Sequence, residues 1–159
     1  MTTSAEPQAH PDLSHLPEDV RLRIAVAETQ GFRWLPAPPN VAYVWRDSGA
    51  WALTGPRAGV TVFGLTAKGV GIPYHGFPNY LSAPAAWGAL LEKERVGLQP
   101  VGAGRPGGKW QASPDWFIWY LGDCPGRAVC LAVLAKYGVP WPQPATATQD
   151  PGGSRSGAS

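Results

Sequence analysis

The sequence predicts an α+β fold in which helices flank an antiparallel sheet. Three stretches with apolar residues at helical spacing alternate with two groups of β-branched and aromatic residues, which turn signals divide into short strands. The length of 159 residues suits one domain, and 44% hydrophobic residues with eight tryptophans can fill a core without disulfides or a structural metal. We therefore expect a single domain over residues 14–141.

The two ends of the chain differ from this central region. Residues 1–13 and 142–159 are rich in Ser, Thr, Ala, Pro and Gly and show no hydrophobic periodicity, so both are expected to be disordered tails. Residues 1–11 lack the apolar core of a secretory signal, and no apolar run approaches the length of a membrane span. The sequence therefore predicts a cytoplasmic protein with no membrane partner.

The first helix is predicted over residues 17–30. Pro17 suits a first helical turn, and the two acids that follow it favour the positive end of the helix dipole. Gly31 ends the helix. The apolar face, with steps of four, four and three residues, consists of Leu16, Val20, Ile24 and Ala27. The proline-rich residues 35–39 follow as an extended connector.

A β region is predicted after this connector. Residues 41–46 and 50–54 flank Asp47-Ser48-Gly49, which is typical of a short hairpin turn, and residues 59–65 form a third strand. The segment 67–80 contains three glycines and two prolines, so we interpret it as a loop that carries aromatic side chains.

A second helix and a second hairpin follow. Ser82 is the expected N-cap of a helix that ends near Glu94. Residues 97–108 form a Gly-rich loop, and residues 109–112 then pair with 116–121 across a turn.

The last helix is predicted over residues 125–137. Asp123 is its expected cap, and Gly138 with Pro140 ends it. The order is therefore helix, strands, helix, strands, helix, which favours one antiparallel sheet with helices packed on it.

The aromatic residues of the second hairpin have two interpretations. Strand alternation predicts two apolar faces, which favours a sheet covered by helices on both sides. Eight tryptophans exceed what a core of this size usually needs, so an exposed binding or base-stacking surface is the alternative. One face would consist of Trp116, Ile118 and Tyr120, and the other of Phe117, Trp119 and Leu121.

A glycine motif suggests a cofactor, but its context excludes one. Residues 102–107 match the G-x-G-x-x-G pattern of dinucleotide-binding proteins. That pattern requires a helix immediately afterwards, because the helix N-terminus holds the pyrophosphate. A tryptophan-rich hairpin follows here instead. We therefore expect no cofactor.

No complete catalytic or metal site is apparent in the sequence. Cys124 and Cys130 are six residues apart on one predicted helix, so their side chains diverge and neither a disulfide nor a metal pair is expected. His75 is the one histidine well inside the predicted domain, and no nucleophile motif accompanies it. A non-enzymatic protein is the preferred interpretation, and a small enzyme with His75 as general base is an alternative.

Three stretches resemble the phage ABA sandwich domain family. Pro73-Tyr74 followed by Ala85-Ala86-Trp87 is similar to the turn and helix in the middle of that family. Residues 125–134 are similar to its closing helix, and Val26-Ala27-Glu28 fits its opening helix. The resemblance implies an α/β/α sandwich encoded by a phage or prophage, with no established activity to transfer.

These observations favour a phage or prophage accessory protein that binds a host protein or a small ligand. An anion could be held at the N-terminus of the last helix, where Arg127 lies. The expected ligand wall consists of Tyr74, His75, Asn79, Tyr80 and Arg127. The net charge of +2 and the scattered arginines argue against a nucleic-acid partner, which is kept as an alternative function.

Overall fold

The computed structural model describes residues 10–36, 49–57, 59–102 and 109–142. The chain divides into two compact units, an N-terminal unit of residues 1–79 and a C-terminal unit of residues 80–159. The predicted α+β class is confirmed, with three helices and antiparallel strands in the described residues. The strands of these ranges are shared between two sheets, of four and three strands. Each sheet pairs strands that neighbour one another in sequence, which short antiparallel connections allow.

The N-terminal unit begins with helix α1, Glu18–Thr29, close to its predicted bounds. Glu18 and Asp19 lie in its first turn, where acids interact favourably with the helix dipole. Gly31 follows the helix with φ +96°, a left-handed conformation that glycine adopts without steric cost.

Four strands form the sheet of this unit, in the order β1-β2-β3-β4. Their bounds are Arg33–Pro36 for β1, Trp51–Thr54 for β2, Thr61–Leu65 for β3 and Gly71–Pro73 for β4. The register places Trp34 opposite Leu53 and Leu53 opposite Phe63. All three side chains are buried, and the rings of Trp34 and Phe63 meet edge to face at 6.2 Å. These cross-strand contacts build the core of the unit.

Two predictions in this region are wrong. The connector expected from residue 35 overlaps β1, and the loop expected over residues 67–80 contains β4. Both are edge strands of the sheet, where proline is tolerated because one side of the strand needs no ladder hydrogen bond. The strand expected over residues 50–54 is present as β2, whereas its predicted partner, residues 41–46, lies outside the described residues.

The C-terminal unit contains helix α2, a three-stranded sheet and helix α3. The sheet order is β5-β6-β7, and α3 packs against β6, β7 and α2. Gly122 of β7 permits this packing, because a Cβ there would lie 2.5 Å from the backbone nitrogen of Ala128. The bounds are Pro84–Glu94 for α2, Gly97–Val101 for β5, Lys109–Ser113 for β6, Tyr120–Gly122 for β7 and Pro125–Lys136 for α3.

Both helices of this unit match their predicted extents, but their caps do not. The N-caps are Ala83 and Cys124, in place of the predicted Ser82 and Asp123, and neither makes a side-chain capping bond. In both helices a proline occupies the first turn and removes one donor that a cap would have satisfied.

A buried carboxylate links the ends of the two helices. Glu94 is 3% exposed and accepts bonds of 2.8 Å from Lys136 Nζ and from Tyr137 Oη. The bond to Glu94 raises the pKa of the Tyr137 hydroxyl. A buried charge must be paired or hydrogen-bonded, and each of the two carboxylate oxygens of Glu94 accepts one of these bonds.

Residues 97–101 and 116–119 also depart from prediction. The expected loop begins as strand β5, and residues 103–108 lie outside the described part of the chain. The hairpin partner expected over residues 116–121 is reduced to Tyr120–Gly122. Residues 114–119 form a loop instead.

Candidate functional site

The connection between β6 and β7 exposes a cluster of large apolar side chains. We call residues 114–119 the aromatic loop. Phe117 is 85% exposed, Trp116 64% and Ile118 57%, and Leu121 in β7 is 55% exposed. Exposed apolar residues are common when scattered singly, but a contiguous group of large ones marks an interaction surface.

Two polar side chains hold the aromatic loop in one conformation. Asp115 Oδ1 accepts the backbone N–H of Phe117 at 2.9 Å and that of Ile118 at 3.0 Å. Ser113 Oγ donates to the same carboxylate oxygen at 3.1 Å and accepts the backbone N–H of Trp116 at 2.7 Å. The bonds from Ile118 and Phe117 lower the pKa of Asp115. The backbone N–H groups of residues 115–118 are therefore bonded to the side chains of Ser113 and Asp115 without a partner molecule.

Trp116 occupies a conformation that a bulky residue rarely adopts. Its φ is +69°, in the left-handed region, which costs about 1–2 kcal/mol for a residue with a Cβ. Its ring contacts Gly97 of β5 so closely that a Cβ at Gly97 would lie 2.8 Å from it. The ring also meets Trp119 edge to face at 5.6 Å. These contacts fix the ring although most of its surface faces solvent.

The strand prediction over residues 116–121 is wrong because it rested on alternating apolar residues and ignored the turn-forming residues 113–115 that precede them. A strand over 116–121 would have placed half of these side chains in a core. Ser113-Pro114-Asp115 is the local signal against a strand. Ser and Asp side chains accept backbone N–H groups two or three residues ahead, and these bonds compete with the hydrogen bonds between paired strands. The two predicted apolar faces of 116–121 are therefore wrong over residues 116–119, and the alternative of exposed tryptophans holds for Trp116.

The residues predicted for a ligand wall fall in different units. Tyr74, His75 and Asn79 follow β4 in the N-terminal unit, where His75 is exposed and the other two are half-buried. Tyr80 and Arg127 belong to the C-terminal unit, and Tyr80 is buried at 6% exposure. A ligand wall built from all five residues stays a prediction.

The first turn of α3, predicted to hold an anion, packs against backbone. Gly126 is buried in contact with the carbonyl oxygens of Tyr80 and Leu81. Cys124 Sγ lies 3.6 Å from the carbonyl oxygen of Leu81, and Cys130 Sγ lies 3.9 Å from that of Tyr80. Both cysteines are free thiols in this structure. Their contacts are those of packed side chains rather than of a reactive pair.

Within the described ranges, no group of three His, Cys, Asp or Glu side chains is arranged to hold a metal ion. In the same part of the chain, no helix has both the length and the apolar character needed to cross a membrane.

Comparison with family models, with curated proteins and with solved structures finds no match to this chain.

Proposed function

We propose that this chain is a non-enzymatic binding protein that recognises another protein through its aromatic loop. The observation that carries the proposal is the 85% exposure of Phe117 on a loop whose backbone is held by its own Ser113 and Asp115. Covering an apolar side chain that a rigid loop keeps in water lowers the free energy, and on this loop only a partner can cover it.

The composition of the loop suits a protein partner. Tryptophan and other large aromatic residues are enriched at interface centres, where a few of them supply most of the binding energy. Burying a side chain the size of Phe117 or Ile118 contributes about 1.5–3 kcal/mol before the costs of association. Four such residues lie within residues 116–121. The proposed partner surface is an apolar cleft that receives Phe117 and Ile118.

Pre-organisation supports the same conclusion. A loop that becomes ordered only on binding loses part of its interaction energy to conformational entropy. The bonds from Ser113 and Asp115 order residues 116–118 in the free protein. The conformational entropy of these residues is therefore lost on folding and not on binding. The strained φ of Trp116 fits this interpretation, because backbone strain tends to collect at functional positions.

The proposed setting follows the family that the sequence resembles. We propose a phage- or prophage-encoded accessory protein that meets its partner in the cytoplasm of the host. The support is the similarity of residues 73–74, 85–87 and 125–134 to the motifs of that family.

Quantitative affinity capture from the source cells tests the proposal. The bait proteins are the full chain, the double variant Phe117→Ser, Ile118→Ser, and the control Leu35→Ser, Val60→Ser. The control positions are also exposed apolar residues, at 46% and 54%, but lie outside the loop. Because all four are exposed, thermal unfolding of both variants should match that of the parent chain.

We expect one protein to be retained by the parent chain and by the control and to be lost from the loop variant. Equal recovery by the loop variant, or no specific protein with any bait, contradicts the proposal. Co-sedimentation with vesicles of mixed neutral and anionic phospholipid provides a further arm. Sedimentation of the parent chain that the loop substitutions abolish would assign the loop to a lipid surface and overturn the protein partner.

A further inference from the structure

The N-terminal unit contains a pocket that the aromatic loop does not involve. Its volume is about 390 Å³, and it lies between α1 and the edge of the sheet at β3 and β4. Pockets that bind small molecules usually have volumes of about 300–1,000 Å³. An engineered apolar cavity of about 150 Å³ accommodates benzene, so this pocket has room for a larger molecule.

The walls of the pocket are mainly apolar. Phe63 and Phe77 pack against each other with ring centroids 5.1 Å apart, and both are buried. The side wall and rim are also apolar, and Val70 at the rim is 57% exposed. The polar side chains of the lining are His15 and Arg23, and its apolar side chains include Leu16, Val20, Phe63, Val70, Pro73 and Phe77.

One charged group is built into the wall with its position fixed. The guanidinium of Arg23 lies 4.1 Å from the centre of the Phe77 ring. Its Nη2 donates to the carbonyl oxygen of Phe77 at 3.1 Å, and its Nε donates to that of Pro78 at 2.9 Å. The guanidinium is therefore a planar, oriented part of the lining, beside which a second aromatic ring would gain cation–π attraction.

The backbone at Gly71 keeps the apolar wall in place. A Cβ at this position would lie 2.5 Å from Phe63 Cζ and 2.8 Å from Leu16 Cδ2. Any side chain here would displace one of these two residues. The wall is thus closely packed around the pocket and is formed before a ligand arrives.

We propose that this pocket binds a small, uncharged aromatic compound of about two fused rings. The volume admits a molecule of this size, and the lining is mainly apolar apart from His15 and Arg23, which selects an uncharged body. Two phenylalanines with a guanidinium face favour a π system over an aliphatic one. The site is separate from the aromatic loop, so this proposal and the protein-binding proposal can fail independently.

Titration of the uniformly ¹⁵N-labelled full chain with indole, followed by two-dimensional NMR, tests the proposal. We expect saturable shifts with a Kd below about 1 mM, centred on the amides of Val20, Val70 and Gly71. Val129 and Val133 in α3, which lie in the C-terminal unit, serve as internal references and should not shift.

Two tryptophan substitutions separate pocket binding from adsorption to any apolar surface. Val70→Trp places a large ring at the rim of the pocket and should weaken indole binding at least about tenfold. Val60→Trp is the matched control, since Val60 is 54% exposed and is not among the lining residues. Both positions are exposed, so both variants should fold. An unchanged Kd in Val70→Trp would overturn the proposal.

Cyclohexanol tests the aromatic class. We expect it to shift the same amides with a Kd at least about fivefold higher than that of indole, because it has no π face for Arg23 or the phenylalanines. Equal or tighter binding of cyclohexanol, or no saturable shift with either probe, contradicts the proposed ligand chemistry.

Discussion

One aromatic cluster in each unit differs from the other in its exposure to solvent. In the N-terminal unit, Trp34, Phe63 and Phe77 are all less than 10% exposed and contact one another in a chain of tilted and edge-to-face rings. In the C-terminal unit, Trp116 and Phe117 are mainly exposed. The difference is one of backbone path. Regular strand pairing places Trp34 and Phe63 on an inner face, whereas Ser113 and Asp115 redirect the chain before Trp116 can enter a ladder. Burial is thus decided by what the neighbouring polar residues do to the backbone, and residue type alone does not predict it.

The largest expected effect separates a buried ring from an exposed one. Phe63→Ala should lower the free energy of unfolding by about 3–5 kcal/mol, because it leaves a cavity in the core of the N-terminal unit. Phe117→Ala should change it by no more than about 0.5 kcal/mol, since the side chain is already in water. Urea unfolding followed by far-ultraviolet circular dichroism measures both. Similar losses in the two variants would show that the aromatic loop is part of a core.

A smaller effect tests whether Ser113 holds the aromatic loop. Its side chain is fully buried, and Ser113→Ala would leave the Trp116 N–H without its 2.7 Å acceptor. The expected loss is about 1–3 kcal/mol. Hydrogen exchange of the Trp116, Phe117 and Ile118 amides should accelerate in the same variant.

The companion variants are Asp115→Ala and the double substitution. Ser113 and Asp115 share one hydrogen-bond network, so the double variant should lose less stability than the sum of the single losses. Strictly additive losses would mean that the two side chains act separately.

The smallest effects are those of pH, and those of His10 and Asp115 should have opposite signs. In the N-terminal unit, a hydrogen bond to Glu28 raises the pKa of His10 above 6.5. The stability this contributes is fully present below pH 6.5 and is lost as pH rises through the raised pKa. In the C-terminal unit, the amides of Ile118 and Phe117 lower the pKa of Asp115 below 3.8. That contribution is present above pH 3.8 and is lost as pH falls through the lowered pKa.

Two substitutions assign these pH effects. The Nε2 atom of His10 lies 2.8 Å from Glu28 Oε2, which also accepts the indole N–H of Trp34, and Nδ1 lies 2.8 Å from the carbonyl oxygen of Pro11. Two acceptors favour the doubly protonated ring. His10 is about half exposed, so we expect His10→Gln to remove a pH dependence of no more than about 1 kcal/mol.

Asp115→Asn should instead remove the loss of amide protection at Phe117 and Ile118 on acidification. Protection factors across the titration, which are NMR exchange rates divided into the intrinsic rate at each pH, check both signs for each variant. A pH dependence of protection that survives either substitution would place its origin in another group.

Much of the fold could be predicted from the spacing of apolar residues and from the positions of proline and glycine. All three helices appear near their expected bounds, because their apolar periodicity is a local signal. Proline in the first turn of α2 and α3, and a glycine after α1 and α3, are further local signals. Strands β2 and β3 were also predictable from their β-branched and aromatic residues. The edge strands β1 and β4 could not be predicted, because their proline and glycine residues are typical of loops. Their pairing is decided by the neighbouring strands β2 and β3.

The candidate sites were less predictable than the elements. The sequence indicated a surplus of tryptophan and therefore an exposed aromatic surface as one alternative, but alternation placed residues 116–119 in a strand. The pocket beside Arg23 could not be predicted, because its walls come from α1, from β3 and β4, and from residues between positions 69 and 77. Only folding brings these segments together.

The sequence by itself determined the α+β class, the three helices and the surplus of large aromatic side chains. These properties depend on composition and on residues within a few positions of one another. The tertiary structure decided which rings pack together in the core of the N-terminal unit, how the strands divide between two sheets, and where a pocket opens beside Phe77. Those outcomes depend on contacts between residues far apart in the chain, such as the contact of Trp34 with Phe63, which no local pattern predicts.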